Sequence, residues 1–372
     1  MKEFAAFVLV CLFAFSAQAA DAVPLPAGQD KTPYPTDGWA EYAAGDPLRV
    51  AVEGLIARAF EGARPVSLAR TRAMVVIVHG RLVAERYSEG LSADSRLQSW
   101  SVAKSLLHAA LGVAIADGKL NPDAPAPVPE WQGANDPRRA ITLRQLAQMT
   151  DGLSFSENYG DTGSEVMQML FGAGRGDVGA AAARAPAAHA PGSEWSYSSG
   201  SANILSRVLR DALGGREAYA AFVRERLFKP LGMTSAVAEF DASGTWIASS
   251  YVHATARDYA KFGLLYLNRG LWEMRQLVPR DWAGGASQTT AASKGRYGAL
   301  FWLNGRDAAT GKLALSDKLP EGLYFARGFG GQLVAVVPSH DAVIVMMNAS
   351  YGDDSQPIID LMVDVLSTIK PG

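Results

Sequence analysis

The chain has almost no cysteine and few histidines, and these shortages exclude several classes of protein. A single cysteine among 372 residues cannot build a disulfide framework, a cysteine-ligated zinc site or an iron–sulfur cluster. Five scattered histidines, with no H-E-x-x-H pattern, offer little for a histidine-based metal site. We therefore expect no metal and no cofactor.

Neither sign of charge predominates in the sequence. There are 35 Lys and Arg against 37 Asp and Glu, and no run is rich in basic residues, so the basic stripe that nucleic-acid binding requires is missing. Hydrophobic residues make up 48% and charged residues 19% of the chain, a composition typical of a folded protein with a large core. The expected partner is a small molecule, and the oligomeric state is left open.

The first nineteen residues resemble a bacterial-type signal peptide. Lys2 precedes an apolar stretch from Ala5 to Phe15 that is too short to span a bilayer, and Ala17-Gln18-Ala19 matches a cleavage site. An uncleaved anchor is the alternative. Cleavage after Ala19 would remove Cys11, and no later segment has 18 uninterrupted apolar residues. We expect a periplasmic or extracellular protein that has no membrane contact after cleavage.

Strand patterns occur near both ends of the chain, and helical patterns lie between them. A hairpin is predicted over 73–87, short strands follow residue 295, and a helix over 355–369 closes the chain. Because a lone hairpin is marginal, the early and late strands are expected to join in one antiparallel sheet. The sequence thus predicts an α/β (α+β) fold, with residues 20–98 and 290–372 in one domain and a helical domain, 99–289, inserted.

Two familiar hydrolase signals are not supported. No serine lies in a G-x-S-x-G pattern, which argues against an α/β-hydrolase nucleophile elbow. Asp161-Thr162-Gly163-Ser164 resembles half of an aspartic protease site, but no second copy supplies the partner carboxylate. We predict instead a turn followed by a helix that begins near Ser164.

A Ser-x-x-Lys pattern occurs twice, at Ser101–Lys104 and at Ser367–Lys370. About one match is expected by chance in a chain of this composition, so the context decides between them. Ser367 lies near the end of the terminal helix. Ser101 instead lies where a loop passes into an apolar helix. At that position its backbone N–H is unpaired and the positive end of the helix dipole is close to it. Lys104 is one turn further on the same face, so a buried amine with a lowered pKa can accept the serine proton.

A tyrosine can supply the proton for the leaving group. Tyr197 lies in a loop that contains Pro191, Gly192 and Trp195, whereas Tyr266 follows apolar residues at helical spacing and is expected in the core or on a helix surface. We prefer Tyr197, and we expect its phenol to lose its proton more readily beside Lys104.

Three motifs, in their order along the chain, together resemble the sequence motifs of a known family. Ser101–Lys104, the segment from Pro191 to Ser199, and Gly328-Phe329-Gly330-Gly331-Gln332 are similar to the boxes of serine β-lactamase and penicillin-binding-protein-like hydrolases, in the class C-related branch. The aminohexanoate-dimer hydrolases and related esterases are the most similar members. The resemblance covers nearly the whole chain after the signal peptide and implies the β-lactamase/transpeptidase-like fold.

The resemblance also implies roles for individual residues. Ser101 would be the nucleophile of an acyl-enzyme, Lys104 its proton acceptor and Tyr197 the acid or base toward the leaving group. The backbone N–H groups of Ser101 and Gln332 would form the oxyanion hole. The substrate-binding candidates are Tyr159, Ser199, Phe329, Gly330 and Gly331, the two glycines because they let a substrate lie close to the strand.

The third box departs from the family pattern. β-Lactamases and D-Ala peptidases begin it with lysine, and many relatives with histidine, whereas Phe329 occupies this place here. Phe329 can neither hold a substrate carboxylate nor help ionise the tyrosine, and Arg327 replaces the cation only if it points into the cleft. The Ser-Asp-Asn box is absent as well. A neutral or cationic ester or amide is therefore the expected substrate. The acidic pair Glu157 and Asp161 either attracts an ammonium group or belongs to a solvated loop.

The sequence predicts an exported serine hydrolase that cleaves a small ester, amide or peptide-like substrate. A D-Ala carboxypeptidase or weak β-lactamase is the enzymatic alternative. A non-catalytic penicillin-binding-like protein is the alternative from another class.

Overall fold

The computed structural model describes residues 33–36, 38–350 and 354–372. The predicted signal peptide and Cys11 lie outside the described residues. Within the described part of the chain, no helix is long and apolar enough to cross a membrane.

The described strands and helices follow the order that the sequence patterns predict: a helix, a hairpin, a mainly helical middle, the late strands and a closing helix. The strands are β1 (Thr71–Val78), β2 (Arg81–Tyr87), β3 (Leu97–Gln98), β4 (Val237–Ala238), β5 (Val252–Ala254), β6 (Leu271–Trp272), β7 (Arg275–Gln276), β8 (Trp302–Leu303), β9 (Tyr324–Gly328), β10 (Gln332–Val337) and β11 (Ala342–Asn348). The helices are α1 (Pro47–Ala57), α2 (Val102–Ala116), α3 (Leu143–Gln148), α4 (Glu165–Leu170), α5 (Val178–Ala183), α6 (Ser199–Leu213), α7 (Arg216–Phe222), α8 (Ala256–Leu267), α9 (Arg280–Gly285) and α10 (Gln356–Ser367). A π-helical segment, Val223–Phe228, continues α7, and short 3₁₀ helices cover Val66–Leu68, Pro129–Trp131, Pro137–Ala140 and Pro338–His340.

One antiparallel sheet of six strands joins the two ends of the chain, in the order β2-β1-β11-β10-β9-β8. β1 pairs with β2 in a hairpin and with β11 on its other side, where Val75 lies opposite Val345. The central strands are buried on both faces, which explains their continuous apolar runs. The predicted α/β fold, with the early and late strands joined in one antiparallel sheet, is confirmed, whereas the proposed domain boundaries stay a prediction. The described residues also form two small sheets that were not predicted, β3-β5-β4 and β6-β7.

Helices cover both faces of this sheet. α1 and α10 pack on one face, and α8 packs on the other, where it contacts β1, β10 and β11. The second face continues into the helices of the middle of the chain, so a large apolar core lies between the sheet and α2, α6 and α8. This layer brings the start of α2 to the edge of the sheet.

Several smaller expectations are also confirmed. Ser164 caps α4 by accepting a hydrogen bond from Met167 N. Ser367 is the last residue of α10, and Tyr266 is buried in the core. The short helices α5 and α9 were not predicted, because alanine and glycine dominate α5 and two glycines end α9, so neither segment shows an apolar stripe at helical spacing.

Gly263 allows α8 to approach the sheet, and its replacement should destabilise the protein. A β-carbon at this position would lie 2.4 Å from Val343 Cγ1 and 3.0 Å from Val334 Cγ1. We expect Gly263→Ala to lower the free energy of unfolding by about 1–3 kcal/mol through overpacking. Gly54→Ala in α1, where nothing lies within 4 Å, should instead raise it by about 0.5–1 kcal/mol. Urea denaturation measures both, and equal effects would contradict this account of the packing.

Candidate active site

A strained turn places Ser101 at the start of α2. Ser99 extends the pairing of β3 with β5: its backbone N–H donates to Val252 O and its hydroxyl accepts from Val252 N. Trp100 then adopts a left-handed conformation with φ of 45°, which is costly for a large side chain. Such strain is typical of functional turns, and here it reverses the chain directly before the serine.

Ser101 is the residue at which α2 begins, and its hydroxyl remains available for chemistry. It caps the helix without a side-chain hydrogen bond, unlike the usual capping serine. Its Oγ instead accepts a hydrogen bond from Lys104 Nζ at 3.0 Å. The predicted serine–lysine contact is therefore present.

The Lys104 amine is enclosed by oxygen atoms from three segments. Nζ lies 3.0 Å from Ser101 Oγ, 3.0 Å from Ser199 Oγ and 2.9 Å from Ser249 O, and the residue is 1% exposed. Burial lowers the pKa of Lys104 to about 8, although the charge of Glu157 opposes this effect. A substantial fraction of the amine is therefore neutral near pH 8 and able to accept a proton.

Tyr197 lies beside the serine and the lysine. Its ring stacks on Trp302 at 5.1 Å, Lys104 Nζ lies 4.9 Å from its centroid, and the Ser101 hydroxyl is near enough to lower the pKa of its phenol. The expectation of an easily ionised phenol is wrong: burial raises the pKa of Tyr197, Glu157 adds to this rise, and Ser101 and Arg327 only partly offset it. Tyr197 is thus a protonated phenol at neutral pH.

Ser199 belongs to the lysine's surroundings. It is fully buried, its hydroxyl accepts from Lys104 and donates to Glu157 Oε2 at 3.1 Å, and it does not line the cavity around Ser101. Its role in substrate binding stays a prediction, and the structure places its hydroxyl between Lys104 and Glu157.

Glu157, which the sequence analysis paired with Asp161, belongs to the surroundings of Lys104 through a contact that was not predicted. Its carboxylate accepts hydrogen bonds from both the backbone N–H and the hydroxyl of Ser199, at the first residue of α6. Burial raises the pKa of Glu157, whereas Lys104 and these hydrogen bonds lower it. Asp161, its predicted partner for an ammonium group, is exposed and accepts from Gly163 N within its own loop.

The end of β9 lies directly against the serine turn. A β-carbon at Gly328 would be 3.0 Å from Ser101 N and 2.5 Å from Ser99 O, so only glycine fits there. Gln332, the predicted second oxyanion donor, lies one strand further away, in β10 and opposite Gly328. Gly330 and Gly331 adopt φ of 76° and 86° in the turn between these strands, which explains why both are glycines.

A cavity of about 310 Å³ opens beside Ser101. Its lining includes Tyr197 and four of the predicted substrate-binding residues: Tyr159, Phe329, Gly330 and Gly331. The rings of Tyr159 and Phe329 stack at 6.3 Å, with 39% and 48% of these residues exposed, and form an aromatic wall. Their roles in substrate binding stay predictions.

Arg327 also lines this cavity and is exposed. It shares a face of β9 with Phe325, which packs in the apolar cluster that includes α10. The expectation of a neutral or cationic substrate stays a prediction.

Three reactive side chains meet beside the cavity. In the described ranges, no group of three or more His, Cys, Asp or Glu is arranged to hold a metal ion. The available reactive groups are a serine, a buried amine and a protonated phenol. This combination defines a serine hydrolase.

The chain belongs to the beta-lactamase family, whose family model, described as Beta-lactamase, matches residues 67–366. The chain is 26% identical over 314 residues to the 6-aminohexanoate-dimer hydrolase of Paenarthrobacter ureafaciens, which covers 75% of this chain and 72% of that protein.

Two solved structures show the same fold. A penicillin-binding protein homologue from Caulobacter crescentus aligns with a TM-score of 0.66 and 15% identity, over 88% of this chain and 99% of that one. A D-stereospecific amidohydrolase from Streptomyces sp. aligns with a TM-score of 0.57 and 19% identity, over 84% and 96% of the two chains. The predicted family and fold are both confirmed.

The lowered pKa of Lys104 predicts the pH dependence of catalysis. Because the proton acceptor must be neutral, kcat/KM should rise with pH through a single ionisation near pH 8 and then reach a plateau. Steady-state rates between pH 5 and 10 with an uncharged ester measure this rising limb of the pH profile. A rate that is independent of pH, or a limb near the ordinary pKa of histidine, would contradict the assignment.

Neutralising Glu157 should move this limb to lower pH. The carboxylate raises the pKa of Lys104, so Glu157→Gln, which can still accept a hydrogen bond from Ser199, should leave the amine neutral at lower pH. Glu165→Gln serves as the control, because Glu165 accepts from Ser156 N in the same loop but does not line the cavity. A limb that stays in place or moves upward in Glu157→Gln would exclude this electrostatic role.

Proposed function

We propose that the protein hydrolyses small amides, and the corresponding esters, through an acyl-enzyme on Ser101. The observation that carries the proposal is the buried Lys104 amine, which lies 3.0 Å from Ser101 Oγ with its pKa lowered to about 8. The preference for amides is supported by the amide-hydrolysing relatives among the matches. Export to the periplasm or beyond is part of the proposal and is supported by residues 1–19.

Acylation begins with transfer of the Ser101 proton to Lys104 Nζ as Oγ attacks the substrate carbonyl carbon. The carbonyl oxygen takes the negative charge and accepts from the backbone N–H of Ser101, which the helix start leaves unpaired within α2. The second donor remains the one predicted from the sequence, the backbone N–H of Gln332, a residue that lies opposite Gly328 and lines the cavity.

Tyr197 acts on the leaving group. Since its phenol is protonated at neutral pH, it donates its proton to the departing nitrogen or oxygen as the tetrahedral species collapses to the ester of Ser101. The Lys104 ammonium then returns a proton to the tyrosinate, which restores two neutral groups. In deacylation, water attacks the ester, gives up one proton to this pair and releases the acid as Ser101 Oγ is reprotonated.

Removal of Ser101 should abolish turnover without unfolding the protein. We expect Ser101→Ala to lower kcat/KM by at least about 1,000-fold for p-nitrophenyl butyrate and for hexanoyl p-nitroanilide. Ser154→Ala, an exposed serine outside the cavity, should retain full activity. Equal rates for Ser101→Ala and wild type would remove Ser101 as the nucleophile. Turnover of nitrocefin or of a D-Ala-D-Ala peptide in place of these substrates would favour the β-lactamase or carboxypeptidase alternative, and the lack of any fluorophosphonate adduct would favour a binding protein.

Loss of the Tyr197 hydroxyl should slow the reaction most for poor leaving groups. Tyr197→Phe keeps the stacking on Trp302 but removes the proton donor, so we expect about 100-fold or more loss for the anilide. The p-nitrophenyl ester needs less protonation and should lose less. Equal losses for both substrates would show that Tyr197 does not act on the leaving group.

A further inference from the structure

A second cavity, of about 550 Å³, lies where the β1–β2 hairpin begins and ends, and none of its lining residues belongs to the cavity beside Ser101. Four arginines line it, and we call this surface the arginine groove: Arg64, Arg70, Arg72 and Arg86. Among the described lining residues, the one carboxylate is that of Glu89, which is exposed. A groove with such an excess of positive charge attracts anions.

Arg72 lies at an irregularity of the sheet. The pairing of β1 with β11 shifts by one residue between Thr71 and Ala73, so Arg72 is an extra residue that no residue of β11 opposes. Bulges of this kind are frequent beside functional sites, where they re-aim a side chain. The Arg72 side chain is exposed and forms no hydrogen bond or ion pair with the residues that the structure describes. Its guanidinium is therefore available to a ligand.

Two further arginines of the groove are held in place by contacts that do not use all their donors. Arg86 pairs with Glu61, and its guanidinium carbon lies 5.6 Å from the centroid of the Phe60 ring. Arg64 Nη1 donates to the backbone oxygen of Ala59 at 3.2 Å. Because a guanidinium carries several N–H donors in a fixed fork, both side chains keep donors for another acceptor.

The charge of the groove favours a ligand with more than one negative charge. Its four guanidinium groups stand against the carboxylates of Glu89 and Glu61, which is a formal excess of two positive charges among these six residues. A carboxylate neutralises one of them, whereas a phosphate group carries about two negative charges at pH 7 and several terminal oxygen atoms. These oxygens match the planar guanidinium fork, which binds phosphate through paired hydrogen bonds.

We propose that the arginine groove is a binding site for phosphate groups, either of a soluble phosphate compound or of a lipid headgroup. Arg72 is the central contact, and Arg86 and Arg64 bind the remaining oxygens from the two sides. The site is independent of the proposed hydrolase function, because no residue of the catalytic machinery lines it.

Calorimetric titration with pyrophosphate tests the site in the intact protein. Arg72→Gln should weaken binding about five- to tenfold, because it removes a charged fork that has no other partner. Glu89→Gln removes the lining carboxylate and should tighten binding about twofold. Added salt should weaken binding in every variant. A loss of fold would weaken binding in both variants, so the opposite signs separate the electrostatic role from a structural one.

Two other arginines provide the controls. Arg184→Gln removes an exposed arginine outside the groove, and Arg327→Gln removes the arginine of the catalytic cavity. Both variants should bind pyrophosphate as the parent protein does. Binding that survives Arg72→Gln, or that is lost in Arg327→Gln, would overturn the proposal.

Sedimentation with lipid vesicles distinguishes the two sources of phosphate. Vesicles of phosphatidylglycerol are compared with vesicles of phosphatidylcholine, which have no net charge. A lipid headgroup is indicated when the phosphatidylglycerol vesicles carry the protein into the pellet and Arg72→Gln leaves it in the supernatant. A soluble phosphate compound is indicated when pyrophosphate binds and neither kind of vesicle does. Binding of neither pyrophosphate nor phosphatidylglycerol would overturn the proposal.

Discussion

The rest of the site depends on the burial of one lysine amine. Lys104 Nζ touches Ser101 at the start of α2, Ser199 at the start of α6 and the carbonyl of Ser249 before β5. These three segments are far apart in the chain, and the amine is the point at which they meet. Taking an ammonium ion out of water is expensive, so the enclosure favours the neutral amine that a proton acceptor requires.

Glu157 acts against this effect, and the balance between the two sets the basicity of the site. A buried lysine without an opposing charge loses its proton too readily and becomes a weak base, whereas a lysine in direct contact with a carboxylate remains an ammonium ion. Here Ser199 separates the two groups: its hydroxyl accepts from Lys104 and donates to Glu157. The carboxylate is thus held near the amine without fixing it as an ammonium ion. The pKa of Lys104 falls to about 8.

The residues that were predicted from the sequence are those whose relation is local. Ser101 and Lys104 are one helical turn apart, and Tyr197 lies in a loop directly before α6, so spacing and context were sufficient to select them. The hairpin and the apolar strands likewise identified the sheet. The roles of Ser199, Glu157 and Gly328 depend on contacts between α6, the loop around residue 157 and β9, which are separated by tens of residues or more. No periodicity reports such contacts, and the oxyanion role of Gln332 stays a prediction.

The same helix shows why the site uses an amine and not an imidazole. His108 lies one turn beyond Lys104 and is also fully buried, with its ring stacked on Trp282 at 4.7 Å and Nδ1 bonded to the Tyr266 hydroxyl at 2.6 Å. Burial lowers its pKa to about 3, so it stays neutral and is too weak a base to take a proton from serine. Burial lowers the pKa of lysine and of histidine alike, because each is a cation when protonated. The ordinary pKa of lysine lies about four units above that of histidine. In an environment this dry, only the lysine retains a basicity that matches neutral to mildly alkaline pH, and the scarcity of histidine in the sequence is consistent with this choice.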